Sequence, residues 1–204
     1  MKRRSVFFLL LAILLLFSSC SPKEEYPRIG ASSEKDSVQF YTVENADQLE
    51  TYIKMGATDA ITATITGKWI TKTYELNVGT EAKPILQTVT IPYLPVRVER
   101  VLAGSAVSAG DEILIHFGGE SIVTPQVSSA FKQGDSYFFV GLKIDPVDGK
   151  VTFASGPHLT GYVTSEGTIL PFSTDKVLEP FANHSIDKVQ QTISPLFSTN
   201  AVTK

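Results

Sequence analysis

The sequence holds one cysteine in 204 residues, which excludes an internal disulfide and the stapled scaffolds built on them. Its three histidines, His116, His158 and His184, stand far from one another and from the cysteine, so no zinc-binding spacing exists. No glycine-rich phosphate loop is present, and nothing in the pattern implies a cofactor or a metal. Positive charge is also scarce. Three of the 18 basic residues are Lys2, Arg3 and Arg4, which leaves 15 against 21 acidic residues and a charge near −6 beyond them. A body of that sign without a basic stripe argues against nucleic acid as a partner. Finally, no apolar run reaches the length of a membrane-spanning helix.

The longest apolar run is Val6–Phe17, VFFLLLAILLLF. As a helix it covers about 18 Å, well short of the roughly 30 Å hydrocarbon core. Preceded by Lys2-Arg3-Arg4, it reads as the hydrophobic region of a signal peptide. Ser18, Ser19 and Cys20 follow. Small residues directly before a cysteine at this point resemble the lipobox of bacterial lipoprotein signal peptides. The resemblance implies cleavage before Cys20 and a diacylglycerol on its sulfur, so that residues 1–19 are leader. Phe17 departs from the pattern, which usually has Leu three residues before the cysteine. A conventional secretory signal or an uncleaved anchor are the alternatives. Two acyl chains suffice for stable attachment, and the expected state is anchored to the membrane, not spanning it. Residues 21–37 are polar and charged, and with Cys20 they form an expected flexible tether reaching roughly 20–25 Å.

Residues 38–204 are expected to form a single β-rich domain, large enough to bury a core without staples. Val38–Val43 is a short strand candidate. Asn45 and Gln48 resemble a capping box, Ala46, Leu49 and Ile53 fall on one helical face, and Gly56 supplies the stop. From Ile61 the rhythm is two: Ile61, Ala63, Ile65 and Trp69 alternate with threonines and Lys68, which predicts a half-buried strand. The phase slips afterwards, since Ile70, Tyr74, Leu76 and Val78 are even, so a bulge is expected near Gly67. Further strands are expected at Ile85–Ile91, Val96–Leu102, Glu112–Phe117, Tyr137–Ile144, Val151–Ala154, Gly161–Thr164 and Thr168–Phe172. Ser185 caps a closing helix bearing Ile186, Val189 and Ile193, which Pro195 should break. The pattern as a whole predicts a mainly β (α+β) fold: a small antiparallel β-barrel or sandwich with two short peripheral helices. The stretch VRVERVLAGSAVSAGDEILIHFGGE, Val96–Glu120, resembles a β-domain of uncharacterised secreted bacterial proteins. That resemblance covers about Ile61 to Phe172, rests mostly on turns, and implies a fold without an activity.

Three near-motifs invite chemistry. Ala106-Val107-Ser108-Ala109-Gly110 has the spacing of a nucleophile elbow, which requires a following helix where a strand is expected here. Gly134-Asp135-Ser136 resembles the nucleophile block of the GDS-type esterases but leads into the strand Tyr137-Phe138-Phe139-Val140. Asp145-Pro146-Val147-Asp148-Gly149-Lys150 lacks the calcium-loop spacing and carries hairpin-turn chemistry. All three read as turns. His116 reads as a solvated strand residue, His158 after Gly156-Pro157 is the least easily explained, and Asn183-His184-Ser185 is a glycosylation sequon read as chance. No catalytic residue is assigned, and Cys20 is the one modification site expected. The expectation is therefore an extracytoplasmic, membrane-anchored envelope lipoprotein with a non-catalytic β-domain. Its partner would be an envelope protein, a wall polymer or a small ligand. The alternative is an extracytoplasmic hydrolase using Ser108 or Ser136 with His158 or another histidine.

Overall fold

A computed structural model describes Tyr26 and residues 47–54, 56–77, 80, 83–118, 123–174 and 176–198. Cys20, the leader, the Val38–Val43 strand candidate and the Asn45 cap lie outside the described residues. Tyr26 alone represents the expected tether, and its ring lies 5.1 Å from that of Tyr162.

Among the described residues the fold is mainly β, with nine strands in one mixed sheet. In chain order these are helix α1 (Asp47–Lys54), β1 (Asp59–Ile65), β2 (Ile70–Asn77), β3 (Leu86–Gly104), β4 (Glu112–His116) and helix α2 (Pro125–Ala130). There follow β5 (Ser136–Val147), β6 (Lys150–Ala154), β7 (Thr160–Val163), β8 (Thr168–Pro171), β9 (His184–Ser185) and helix α3 (Ile186–Ser198). Pro157–Leu159 and Lys176–Phe181 are 3₁₀ turns. Five strands each have two neighbours among themselves: β1 pairs β3 and β5, β3 pairs β4, β4 pairs β6, and β6 pairs β5. The β4–β6 pairing is parallel, so the all-antiparallel expectation is corrected to a mixed sheet. A parallel neighbour is available because helix α2 and strand β5 separate the two strands in sequence and carry the chain back across.

Alternation along β1 and β5 sorts their side chains onto two buried faces. Ile61, Ala63, Ile65, Tyr137 and Phe139 join one core with Leu94, Val96, Val98, Phe117 and Phe153. Ala60, Phe138 and Val140 join a second, closed over by Leu49 and Ile53 of α1, Val177 and Phe181, and Val189 and Ile193 of α3. Strand β1 is therefore buried along nearly its whole length, not half-buried. A period of two cannot distinguish the two cases when threonine and alanine occupy the second face.

The expected bulge at Gly67 is instead the link between two separate strands, β1 and β2. Within β1 the register slips earlier, between Ala60 and Ile61 and between Thr62 and Ala63. The two strands expected at Ile85–Ile91 and Val96–Leu102 are one, β3, which runs through Pro92 and Pro95. Those prolines fall where β3 changes partners. Pairing with β2 ends at Tyr93, pairing with β4 begins at Leu94, and pairing with β1 begins at Val96. A missing N–H removes little from a ladder that is being handed over.

Helix α1 is present as expected, ending where Gly56 (φ +137°) donates to the Ile53 carbonyl. Lys188 N–H donates to Ser185 Oγ, the expected cap of α3. Pro195 does not break that helix, which continues to Ser198. Leu196 and Phe197 pack against the second core and hold the turn after the proline in place. Helix α2 has no counterpart among the two expected helices. Thr124 Oγ1 accepts from Val127 N–H and Pro125 opens the helix, a pairing of cap and first-turn proline that Thr124-Pro125 spelled out.

Candidate functional site

Strand β3 is 19 residues long, and its first part, Leu86–Tyr93, pairs with β2 alone. The two form a ribbon, here called the arm. Residues directly opposite share a face, and the register places Ile70 with Tyr93, Lys72 with Ile91, Tyr74 with Val89 and Leu76 with Gln87 on one side. The other side carries Thr71, Thr73, Glu75, Thr88 and Thr90, with Pro92 at its base and Asn77 and the exposed Leu86 at its tip. The arm is thus amphipathic, with one aliphatic and aromatic face and one threonine-rich face.

At its base the apolar face meets the β5–β6 hairpin. Val147 and Lys150 pair across the two-residue turn Asp148-Gly149, both at positive φ (52° and 75°), the geometry that suits a tight hairpin. The turn expected from Asp145–Lys150 is therefore present, with Asp145 and Pro146 still inside β5. It delivers Asp148 to Lys72, whose ammonium donates to Asp148 Oδ2. That hydrogen bond, and then the carboxylate charge, raise the Lys72 pKa.

Beside this ion pair the hydroxyls of Tyr74 and Tyr93 are 3.2 Å apart. Tyr93 is buried, and desolvation followed by the Tyr74 hydrogen bond raises its pKa. The Tyr93 ring lies 5.7 Å from that of His116 at 59°. His116 Nδ1 accepts from Gly118 N–H at 3.1 Å, and burial lowers its pKa, so the ring is held neutral. His116 is consequently packed and half-buried, not solvated as the alternation suggested. Strand β4 is covered on both faces, and the arm's root closes over its end. Lys72, Tyr74, Tyr93, His116 and Asp148 make a surface cluster in which cation, carboxylate, phenol and imidazole meet beside the arm. Sequence reasoning recognised β2 as strand but had no means of joining it to Tyr93 or to the Asp148 turn.

The other candidates disperse. Ser108 lies in the β3–β4 connection, where its N–H donates to Asp111 Oδ2. Ser136 Oγ shares a hydrogen bond with Thr64 Oγ1 at 2.9 Å. The Gly-Asp pairs are turns, with Gly110 and Gly134 both at positive φ. The His158 ring packs under Gly156, where a Cβ would meet it at 2.7 Å, and edge-on to Tyr52 at 6.3 Å. Pairing of Phe139 with Thr160 sets His158 near Val140, inside β5, and Ser136 lies four residues away along that strand, roughly 13 Å. His184 Nε2 is 3.2 Å from Lys188 Nζ. The structure therefore brings neither serine to a histidine through its hydrogen bonds. Among the described residues no group of three or more His, Cys, Asp or Glu side chains could hold a metal ion, and no helix is long and apolar enough to cross a membrane.

One buried carboxylate stands apart. Asp59 is fully buried at the start of β1; its Oδ1 accepts from Ala106 N–H at 2.9 Å and its Oδ2 has no hydrogen-bond partner. Lys143 Nζ donates to the Ala106 carbonyl at 3.0 Å. Together they pin the β3–β4 connection to β1 and β5, a structural task.

No protein-family model matches this chain, and no curated protein matches it.

Proposed function

We propose that this protein is a membrane-anchored envelope lipoprotein whose non-catalytic β-domain binds an extended envelope partner along the arm and the Lys72–Tyr74–Tyr93–His116 cluster. The pairing circuit β1-β3-β4-β6-β5-β1 carries this reading. Five strands paired in that order, with one parallel contact and a helix between the third and fourth, suit a small closed barrel of the oligonucleotide- and oligosaccharide-binding type. Such barrels bind ligands over the face of their second and third strands, between the first hairpin connection and the last. Those positions correspond here to β3 and β4, the arm, and the Asp148 turn.

A net acidic chain argues against a phosphate backbone as the ligand. An apolar face with phenols and one ion pair at its edge suits an uncharged extended chain, either a wall glycan or a protein segment. Anchoring through Cys20 rests on the leader sequence. Tyr26 packed on Tyr162 leaves a six-residue span from Cys20, at most roughly 20 Å when extended. A body held that way would sit close to the lipid with its Tyr162 side inward.

The test is crosslinking in intact bacteria, affinity capture of the tagged full chain and mass spectrometry, run beside Cys20→Ala and Tyr74→Ala. A partner recovered with the parent chain and lost with Tyr74→Ala supports the arm as the binding surface. The anchor reading expects labelled palmitate on the parent chain and none on Cys20→Ala. A partner retained by Tyr74→Ala moves the site elsewhere, and a parent chain that takes up no label refutes the lipid anchor.

A further inference from the structure

We infer that the free edge of β2 is a self-pairing surface, on which two copies of this chain join antiparallel about a two-fold axis through Thr73. Strand β2 is eight residues long, contains no proline, and among the described residues pairs with β3 alone. Its outer edge therefore presents a row of backbone donors and acceptors ready for another strand. A two-stranded ribbon is marginal by itself, whereas three or more strands with an apolar face stand independently. Nothing among the described residues supplies the third strand. Four of the five exposed large hydrophobic residues lie on or next to the arm: Ile70, Leu76, Ile85 and Leu86.

The occupant follows from the side chains. In an antiparallel pair whose axis is perpendicular to the sheet, each residue faces one of the same parity, so the axis passes through a residue. An axis at Lys72 sets two ammonium groups opposite each other, and an axis at Glu75 sets two carboxylates opposite each other; both are disfavoured. An axis at Thr73 places Ile70 against Leu76 of the second copy twice over, and Lys72 against the Tyr74 ring of the second copy twice over. Thr71 then faces Glu75, whose carboxylate can accept its hydroxyl. The most exposed aliphatics of the strand, Ile70 at 39 % and Leu76 at 46 %, thereby cover each other, and a cation rests on an aromatic face. An axis at Tyr74 instead sets Lys72 against Leu76 and leaves Ile70 beyond the strand. The two arms become one four-stranded sheet, β3-β2-β2-β3, with its apolar face continuous across both copies.

Disulfide trapping in intact cells tests this on the full chain. Thr73→Cys puts two sulfurs on the axis, where opposed Cα atoms stand about 4.5–5.5 Å apart, within disulfide reach. Thr88→Cys, on β3 opposite Glu75, leaves its two copies three strand spacings apart and four residues offset along the strand, roughly 20 Å in all, and out of reach. The parent chain, whose only cysteine is Cys20, is the blank. After mild oxidation, a covalent dimer is expected for Thr73→Cys and not for Thr88→Cys or the parent. Adding Leu76→Lys to Thr73→Cys should lower the yield at least about tenfold, because two symmetry-related pairs are lost and a charge is left in their place. Emission from Trp69, packed against Phe117 and Phe131, verifies that each variant remains folded. Equal dimer yields for both cysteines would mean random collision and overturn the inference. So would a Thr73→Cys variant whose new thiol is accessible yet forms no dimer, or one that traps a different protein in place of a second copy.

Discussion

Gly141 is where strand β5 exchanges one neighbour for another. Up to this residue β5 pairs with β1, through Asp59↔Gly141; from Leu142 onward it pairs with β6, through Leu142↔Ala154. A Cβ added there would lie 2.1 Å from the Ala154 carbonyl oxygen and 2.6 Å from Phe153 Cε1. A close carbon–oxygen contact is about 3.3 Å, so β5 and β6 must separate by roughly 1 Å at the one place that joins the β1 side of the circuit to the β6 side. Phe153 is fully buried and cannot swing aside without opening the first core. Forced overpacking costs about 1–3 kcal/mol, sometimes more, and the displaced ladder pair adds about 1 kcal/mol. We expect Gly141→Ala to cost about 3 kcal/mol, which lowers the melting temperature by about 6–12 °C in a domain of this size.

The matched control is Gly67→Ala. Its Cβ would meet Pro95 Cγ at 3.6 Å, an ordinary contact, and its backbone is not left-handed. There the lost flexibility of the unfolded chain should leave stability unchanged or raise it by up to about 1 kcal/mol. Urea and thermal unfolding of the full-length protein in matched detergent, followed by Trp69 emission and circular dichroism, measures both. Equal losses for the two variants would refute the argument that β5 must pass β6 without a side chain at 141.

Three further outcomes follow from the same contacts. Asp59→Ala leaves the Ala106 N–H without its acceptor and should destabilise by about 2–3 kcal/mol. Asp59→Asn keeps an acceptor and should cost under about 1 kcal/mol; a loss equal to that of Ala would give the charge itself the structural role. His116 has its folded pKa lowered by burial below the usual 6.5. The unfolded chain therefore binds more protons between those values, and the His116 contribution is complete above pH 6.5 and lost as pH falls through that window. Protonation would also remove the Nδ1 acceptor from Gly118. Denaturant titrations across pH 5–7 should show a slope in the parent chain that flattens in His116→Gln, and an unchanged slope would refute the assignment. Tyr26→Ala removes a ring contact with Tyr162 worth about 0.5–1.5 kcal/mol. A melting temperature lowered by about 1–6 °C would verify that this residue is docked, and no change would place it free of the body.

Much of the fold is legible where local chemistry and tertiary context agree. Gly110-Asp111, Gly134-Asp135 and Asp148-Gly149 are turns on residue type alone, and each delivers a strand where its apolar run begins. Leu49, Ile53, Val189 and Ile193 are periodic and all buried. The misreadings share one cause: each needed knowledge of a distant neighbour. Pro92 and Pro95 suggest a break between strands, since nothing local reveals that β3 changes partners around them. The alternation of Thr62 and Thr64 with apolar residues suggests a solvated face, since nothing local announces a second core on the other side of β1.

The candidate cluster was invisible for the same reason, and more completely. Lys72 and Tyr74 belong to β2, Tyr93 to the first part of β3, His116 to the end of β4 and Asp148 to a turn 76 residues from the lysine it meets. Each residue has an ordinary local explanation: an edge cation, a strand aromatic, a turn aspartate. A motif search sees adjacency in sequence, whereas this cluster is adjacent only through the β2–β3 register and the closing turn of β5 and β6. That explains why the near-motifs around Ser108 and Ser136 carried sequence signal and lead to turns, while the residues that converge carried none. For a sheet of this kind the informative quantity is the pairing table. Strand β3 is long enough to serve two partners along one part and a different one along the other, and the part left with β2 alone is the part on which the proposed binding surface rests.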